Sequence, residues 1–266
     1  MIHPINLHTR SLPFLAIVGL APCAWAEPAA PGTTDAPENK VAPESETSVK
    51  PARQEPVVKK ISPSTYQIGK IKLNKDTREI TIPAQTNITD PGTVLEYLLV
   101  HVNGEKVHEA LLVTEADPTH VNIALKLLNY KESPELFREL KADGTPSENY
   151  PVVADEIKKA ARFGIFITWN QGGKEKTFPI TDWLQHRILK KPMPHTPWVY
   201  NGSYVHHQKF KAKLTGNIFT IFPDEGSIAN YPGKDRDDDT LWFPAPRIPA
   251  EGTALTVTLK PWAAAP

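Results

Sequence analysis

The stretch that most constrains this chain is Val94–Thr114, where two apolar runs, Val94–Val102 and Glu105–Thr114, are separated only by Asn103-Gly104. Asn-Gly between β-prone runs is the strongest short hairpin signal, because a type I′ turn needs positive φ at both central residues. A two-residue loop also fixes the register. It sets Val100 opposite Val107, Leu98 opposite Glu109 and Glu96 opposite Leu111 on one face. Leu99 then meets His108, Tyr97 meets Ala110 and Leu95 meets Leu112 on the other. Both faces are largely apolar, so the hairpin is predicted to be central and covered on both sides.

Strand signals dominate the rest. Tyr66–Leu73 alternates, Asn74–Thr77 reads as a turn, and Glu79–Ile82 returns as a strand. Phe163–Trp169 and Lys174–Ile180 flank Asn170-Gln171-Gly172-Gly173 as another hairpin. Trp198–Val205 and Phe210–Phe222 add strands, and Ala254–Leu259 closes the chain. After the central hairpin, Asp117 is placed to cap a helix and Pro118 to open it. Val121, Ala124, Leu125 and Leu128 would form its apolar face. A second short helix is expected near Asp155–Arg162, and Thr181–Leu184 starts a helical turn. The predicted fold class is α+β: a mostly antiparallel β domain with one or two short helices packed on the sheet.

Composition divides the chain. Arg10, an apolar stretch from Leu12 to Ala24, and Ala24-Trp25-Ala26 have the three parts of a secretory signal, assigned to residues 1–26. In the alternative, Leu20-Ala21-Pro22-Cys23 is a lipoprotein box that would lipidate Cys23. Residues 27–63 carry seven prolines and no aromatic residue, too little apolar surface to offset ordering entropy, and are read as a disordered spacer. Residues 64–262 form one domain. The chain is therefore expected to be exported, periplasmic or extracellular. Cys23 is the only cysteine, so the mature chain has no thiol for a disulfide, a thiolate metal site or a Cys nucleophile. Thirty basic residues balance thirty acidic ones. That balance argues against nucleic acid and against charge-driven docking on lipid. No later apolar run is long enough to cross a membrane.

Several segments together resemble the prokaryotic YdjY-like domain. They are Lys106-Val107-His108-Glu109 running through Leu111–Thr114 into the capped helix, Pro197–Ser203, and Asn217-Ile218 through Ser227–Asn230 and Asp237–Trp242 to Leu259-Lys260-Pro261. The likeness spans roughly residues 67–261. It implies an exported bacterial protein and carries no assigned activity. The iron–sulfur features of some relatives do not carry over, because the cysteines are missing here. Residues 131–162 read as an insertion.

Familiar catalytic motifs are absent: there is no G-x-S-x-G, H-E-x-x-H, Walker loop or G-x-G-x-x-G. In the hairpin register Glu96 and Glu109 are diagonal neighbours among Leu98, Val100 and Leu111, the kind of carboxylate pair a glycosidase uses. His108 points to the opposite face. Asp235, Asp237 and Asp239 alternate like the opening of a calcium loop, but Thr240 and Pro246 stand where an EF-hand needs Gly and Glu. No cofactor is expected, save a divalent cation such as calcium at that loop; its bland reading is an acidic turn capping its own backbone. Ser203 with His206-His207 lacks an identifiable acid partner. Trp183, Trp198 and Trp242 read as core, although Trp198 and Trp242 exposed together would make a glycan or peptide platform. His108, Trp198, Ser203 and Trp242 are thus the candidate binding residues. The expected function is a non-catalytic binding or envelope-associated module, with an envelope protein or glycan as partner. The alternatives are an envelope-polysaccharide hydrolase using Glu96 and Glu109, and a structural protein stabilised by a cation.

Overall fold

The computed structural model describes residues 58–262; the signal, Cys23 and most of the spacer lie outside the described residues. Sixteen strands alternate with three short helices. They are β1 (Val58–Lys60), β2 (Thr65–Ile68), β3 (Ile71–Asn74), β4 (Glu79–Thr86), β5 (Tyr97–His101), β6 (Ala110–Thr114), α1 (Pro118–Leu127), α2 (Asp155–Ala160), β7 (Arg162–Gln171), β8 (Lys174–Pro179), β9 (Leu184–His186), β10 (Trp198–Tyr200), β11 (Val205–His206), β12 (Lys209–Phe210), α3 (Lys211–Thr215), β13 (Asn217–Thr220), β14 (Ala229–Asn230), β15 (Trp242–Pro244) and β16 (Ala254–Pro261). β1 lies inside the stretch read as spacer.

The architecture corrects the predicted α+β sheet. Strands run in the order β4-β16-β7-β10-β14-β13-β5-β6, and β6 pairs back onto β4 through Gln85↔Val113 and Thr86↔Leu112. The result is a closed eight-stranded barrel. It is mixed, because β5 pairs with β6, and β13 with β14, in parallel. Two long strands make closure possible while leaving flaps outside. The first half of β4 pairs with β3, which leads out to β2 and β1; its end pairs with β6. Pro83 falls between the two partners, where no ladder donor is needed on that edge. β7 is shared in the same way, pairing with β10 at its start and with β8 from Phe166 onward.

The parallel pairs overturn the Asn103-Gly104 hairpin. Neither residue takes a positive φ, so no type I′ turn forms. Gly104 instead allows a close approach: a Cβ there would lie 2.9 Å from the His101 carbonyl and 3.0 Å from that of Thr215. From β5 the chain crosses through residues 102–109, including a 3-10 turn at Val107–Glu109, and returns in parallel as β6. The second parallel pair repeats this with residues 221–228 between β13 and β14. Both crossovers are shorter than the dozen or more residues such connections usually need. Each is tied to the entry of the other. Glu105 N donates to the Thr215 carbonyl just before β13, while Ile221 N and Phe222 N donate to the Glu96 carbonyl just before β5. Since β5 and β13 are antiparallel neighbours, the two units form a reciprocal pair.

Other local signals are realised. Asp117 caps α1 by accepting from Thr119 N at 2.8 Å, and Val121, Ala124, Leu125 and Leu128 are buried. The β7–β8 hairpin turns on Gly172 and Gly173, both at positive φ. Phe210–Phe222 is not one strand: α3 occupies its first part. Phe163, Phe219 and Trp198 sit at the centre of the core, with the Phe163 and Phe219 rings 5.7 Å apart. The Trp198 indole N–H is satisfied by the Thr220 carbonyl at 3.2 Å.

Candidate functional site

The two crossovers bring chemistry to their shared end. In the parallel register Glu96 precedes β5 and Glu109 precedes β6, so the two are direct neighbours: Glu96 N donates to the Glu109 carbonyl at 3.2 Å. The Glu109 charge acts on the Glu96 carboxyl. Lys106 donates to Glu109 at 2.8 Å, and His108 Nε2 stands 3.1 Å from its other oxygen. The 3-10 turn makes that last contact possible, because a strand would have sent His108 and Glu109 to opposite faces. Burial, with the Glu109 charge behind it, raises the Glu96 carboxyl above its ordinary value against the pull of Lys106. Burial pushes Glu109 up too, but the Lys106 hydrogen bond and charge, with His108, outweigh it and hold Glu109 low. The two carboxyls are therefore pushed apart in acidity, Glu96 upward and Glu109 downward.

Asp224, on the second crossover, accepts from the Tyr97 hydroxyl at 3.5 Å. It is otherwise saturated, accepting from Asn217 Nδ2, Ser227 Oγ and Gly226 N. Asn230 accepts from Asp224 N and donates to Asn201, which in turn donates to the Ser227 carbonyl. Ser203 belongs to the same network. Its hydroxyl donates to the Gly226 carbonyl at 2.6 Å and accepts from Ala212 N at 3.1 Å, so it is committed to backbone. The His206 ring meets His207 edge-on at the exposed β11–β12 turn, where His207 and Gln208 take positive φ.

The remaining predicted residues are dispersed. Trp198 and Trp242 are buried, so they form no exposed platform. Asp238 caps its own turn by accepting from Thr240 N and Oγ1, the Asp235 charge adds to the burial that pushes the Tyr231 hydroxyl up, and Asp237 is exposed beside Arg236. Asp239 is exposed and acts weakly on Glu96. Among the described residues no three His, Cys, Asp or Glu side chains converge as a metal shell would.

A different site emerges beside β7 and β8. A cleft of about 600 Å³ has Trp169, Phe178 and Trp183 in its wall, with the Trp169 ring 5.2 Å from Phe178 and 5.1 Å from Trp183. Lys176, Asp182 and Arg247 stand exposed around it and make no ion pair among the described residues. Its size and its mix of aromatic wall and few charges are those of a small-molecule site. Sequence reasoning missed it, although the Gly172-Gly173 hairpin carried a signal. The register Ile167↔Phe178 and Trp169↔Lys176 puts all four side chains on one face. Arg247 and Pro192 join from distant segments that no local pattern connects.

Neither a curated protein nor a solved structure matches the chain. The model of the YdjY domain matches residues 71–260, a span that runs from β3 to the last strand of the barrel and takes in both crossovers. With that match over most of its length, the chain belongs to the YdjY domain family.

Proposed function

We propose that this domain is a non-catalytic binding module, exported to the cell envelope, that takes a small amphipathic anion in the cleft beside β7 and β8. The cleft carries the reading: aromatic surface from Trp169, Phe178 and Trp183 sits next to two cations, Lys176 and Arg247, and one acid, Asp182, none of them in an ion pair among the described residues, so the net charge of the rim is positive. A ligand with an apolar face and an acidic group satisfies both. Export is supported by Ala24-Trp25-Ala26 and the apolar run before it. The Glu96–Glu109 pair supports catalysis less well. Glu109 is already committed to Lys106 and His108.

The test uses 8-anilinonaphthalene-1-sulfonate, an apolar anion that fluoresces when bound. Saturable binding to the folded protein is expected, weakened at least about fivefold in Arg247→Gln or Lys176→Gln, on the scale of one charge-assisted contact, and more strongly in Phe178→Ala. Unsaturable binding, or affinities unchanged in all three variants, would overturn the reading.

A further inference from the structure

The chain-wide charge balance conceals a local asymmetry. Residues 183–223 contain no Asp or Glu and six Lys or Arg. Three of the six, Arg187, Lys190 and Lys191, surround Ile188 and Leu189 at the apex of one tight turn after β9. Ile188 is 74% exposed and Leu189 62% exposed. The turn that presents these two adjacent aliphatic side chains is closed by its own hydrogen bonds. His186 Nδ1 accepts from Ile188 N at 3.2 Å and from Leu189 N at 3.3 Å. The His186 carbonyl accepts from Lys190 N, and His186 N donates to the Lys191 carbonyl. The His186 ring meets buried Trp242 edge-on at 5.2 Å, and β9 pairs with β15. The apex is therefore braced against the body of the domain.

Two of the three cations, Lys190 and Lys191, have no ion-pair partner among the described residues. Arg187 lies over the Phe243 ring, with Asp238 the acid that feels its charge. We infer that this turn docks on an anionic lipid surface, with Ile188 and Leu189 entering the boundary between headgroups and acyl chains while Arg187, Lys190 and Lys191 meet lipid phosphates. The combination of an apolar wedge and a basic collar is what an interfacial contact needs. A protein partner would need a complementary acidic pocket; a lipid surface needs only the charge and the apolar tip that the turn presents. The inference does not rest on the cleft.

A local readout tests it on the full chain. An environment-sensitive nitrobenzoxadiazole label is placed at Leu189→Cys in a Cys23→Ser background, with a label at Val152→Cys as control, since Val152 is fully exposed elsewhere. Vesicles of phosphatidylcholine with an equal part of phosphatidylglycerol should brighten and blue-shift the label at position 189 and leave the one at 152 unchanged. Adding Arg187→Gln, Lys190→Gln and Lys191→Gln should weaken the response by about fivefold per charge removed. Pure phosphatidylcholine should give a far weaker response. No spectral change at 189, an equal change at both positions, or a response indifferent to the three cations would each overturn the inference. A label at 189 that responds only to added envelope protein would do so as well.

Discussion

Barrel closure depends on a short contact, Gln85↔Val113 and Thr86↔Leu112, and it can be tested by covalent bonding. An open, mostly antiparallel sheet with a 103–104 hairpin gives β4 and β6 no reason to touch. In the closed barrel Gln85 and Val113 are cross-strand partners, with Cβ atoms about 4.5–5.5 Å apart. Gln85→Cys with Val113→Cys, in a Cys23→Ser background, should therefore oxidise readily. The bond closes a loop of about 29 residues, and chain entropy then predicts a gain of roughly 3.6 kcal/mol over the reduced form. For a domain of this size that is a rise in melting midpoint of roughly 7–14 °C. The assay is a thiol titration followed by calorimetry of the oxidised and reduced forms. Gln85 is exposed, so the mutation there is tolerated; Val113 is buried, and its loss lowers both forms equally. Thiols that stay free under oxidant, or an oxidised form no more stable than the reduced one, would refute the closed barrel.

Four further outcomes follow from the site geometry. Glu96→Gln should remove the like-charge repulsion with Glu109. Because the Glu96 pKa is raised from 4.5, the wild type loses stability as pH rises through the folded value, so the variant should gain up to about 1 kcal/mol toward neutral pH and little below 4.5. Glu109 behaves oppositely: its pKa is held low, so Glu109→Gln should cost stability above 4.5 and the difference should vanish as pH falls through the folded value, measured by the same melts. Gly216→Ala should destabilise by more than about 1 kcal/mol, since φ is +79° and a Cβ would lie 2.5 Å from the Gly104 Cα. Asp237→Asn with Asp239→Asn should leave the melting midpoint within about 0.5 kcal/mol of wild type, with or without calcium; a calcium-dependent shift lost in the variant would restore the metal reading.

Local chemistry was legible where one short segment decides the outcome. The Asp117 cap, the α1 apolar face, the Gly172-Gly173 turn and β16 depend on neighbours a few residues away. The 102–109 crossover does not. It is anchored by Thr215 and Gly216, more than a hundred residues on, and those contacts override the turn preference of Asn-Gly. The Glu96–Glu109 proximity survived the wrong topology for a geometric reason. The antiparallel and parallel registers coincide at Tyr97↔Ala110, so residues one step away remain neighbours in both. Further from that crossing point the registers diverge, and Leu99 meets Leu112 rather than His108. Trp198 and Trp242 show the same limit, because nothing in the sequence says which of six tryptophans line an open surface.

The residues that carry the family likeness are largely those that hold the second crossover. Asn201, Ser203, Asn217, Ser227 and Asn230 converge with Asp224 in one hydrogen-bonded hub, and several are fully buried. Each donor there satisfies a backbone or side-chain acceptor that would otherwise be stranded in the core, so the likeness carries topology before it carries chemistry. The cleft and the basic turn draw instead on Trp169, Phe178, Arg247 and Arg187–Lys191, which lie outside that hub. The two sets should therefore separate by experiment. Ser203→Ala strands the Ala212 N–H and should cost roughly 1–3 kcal/mol in melting while leaving the binding of an apolar anion unchanged. Arg247→Gln, exposed and without an ion pair among the described residues, should leave melting unchanged and weaken that binding. If Ser203→Ala instead abolished binding in a protein that still melts cooperatively, the hub would be part of the site, and the division between scaffold and binding surface would fail.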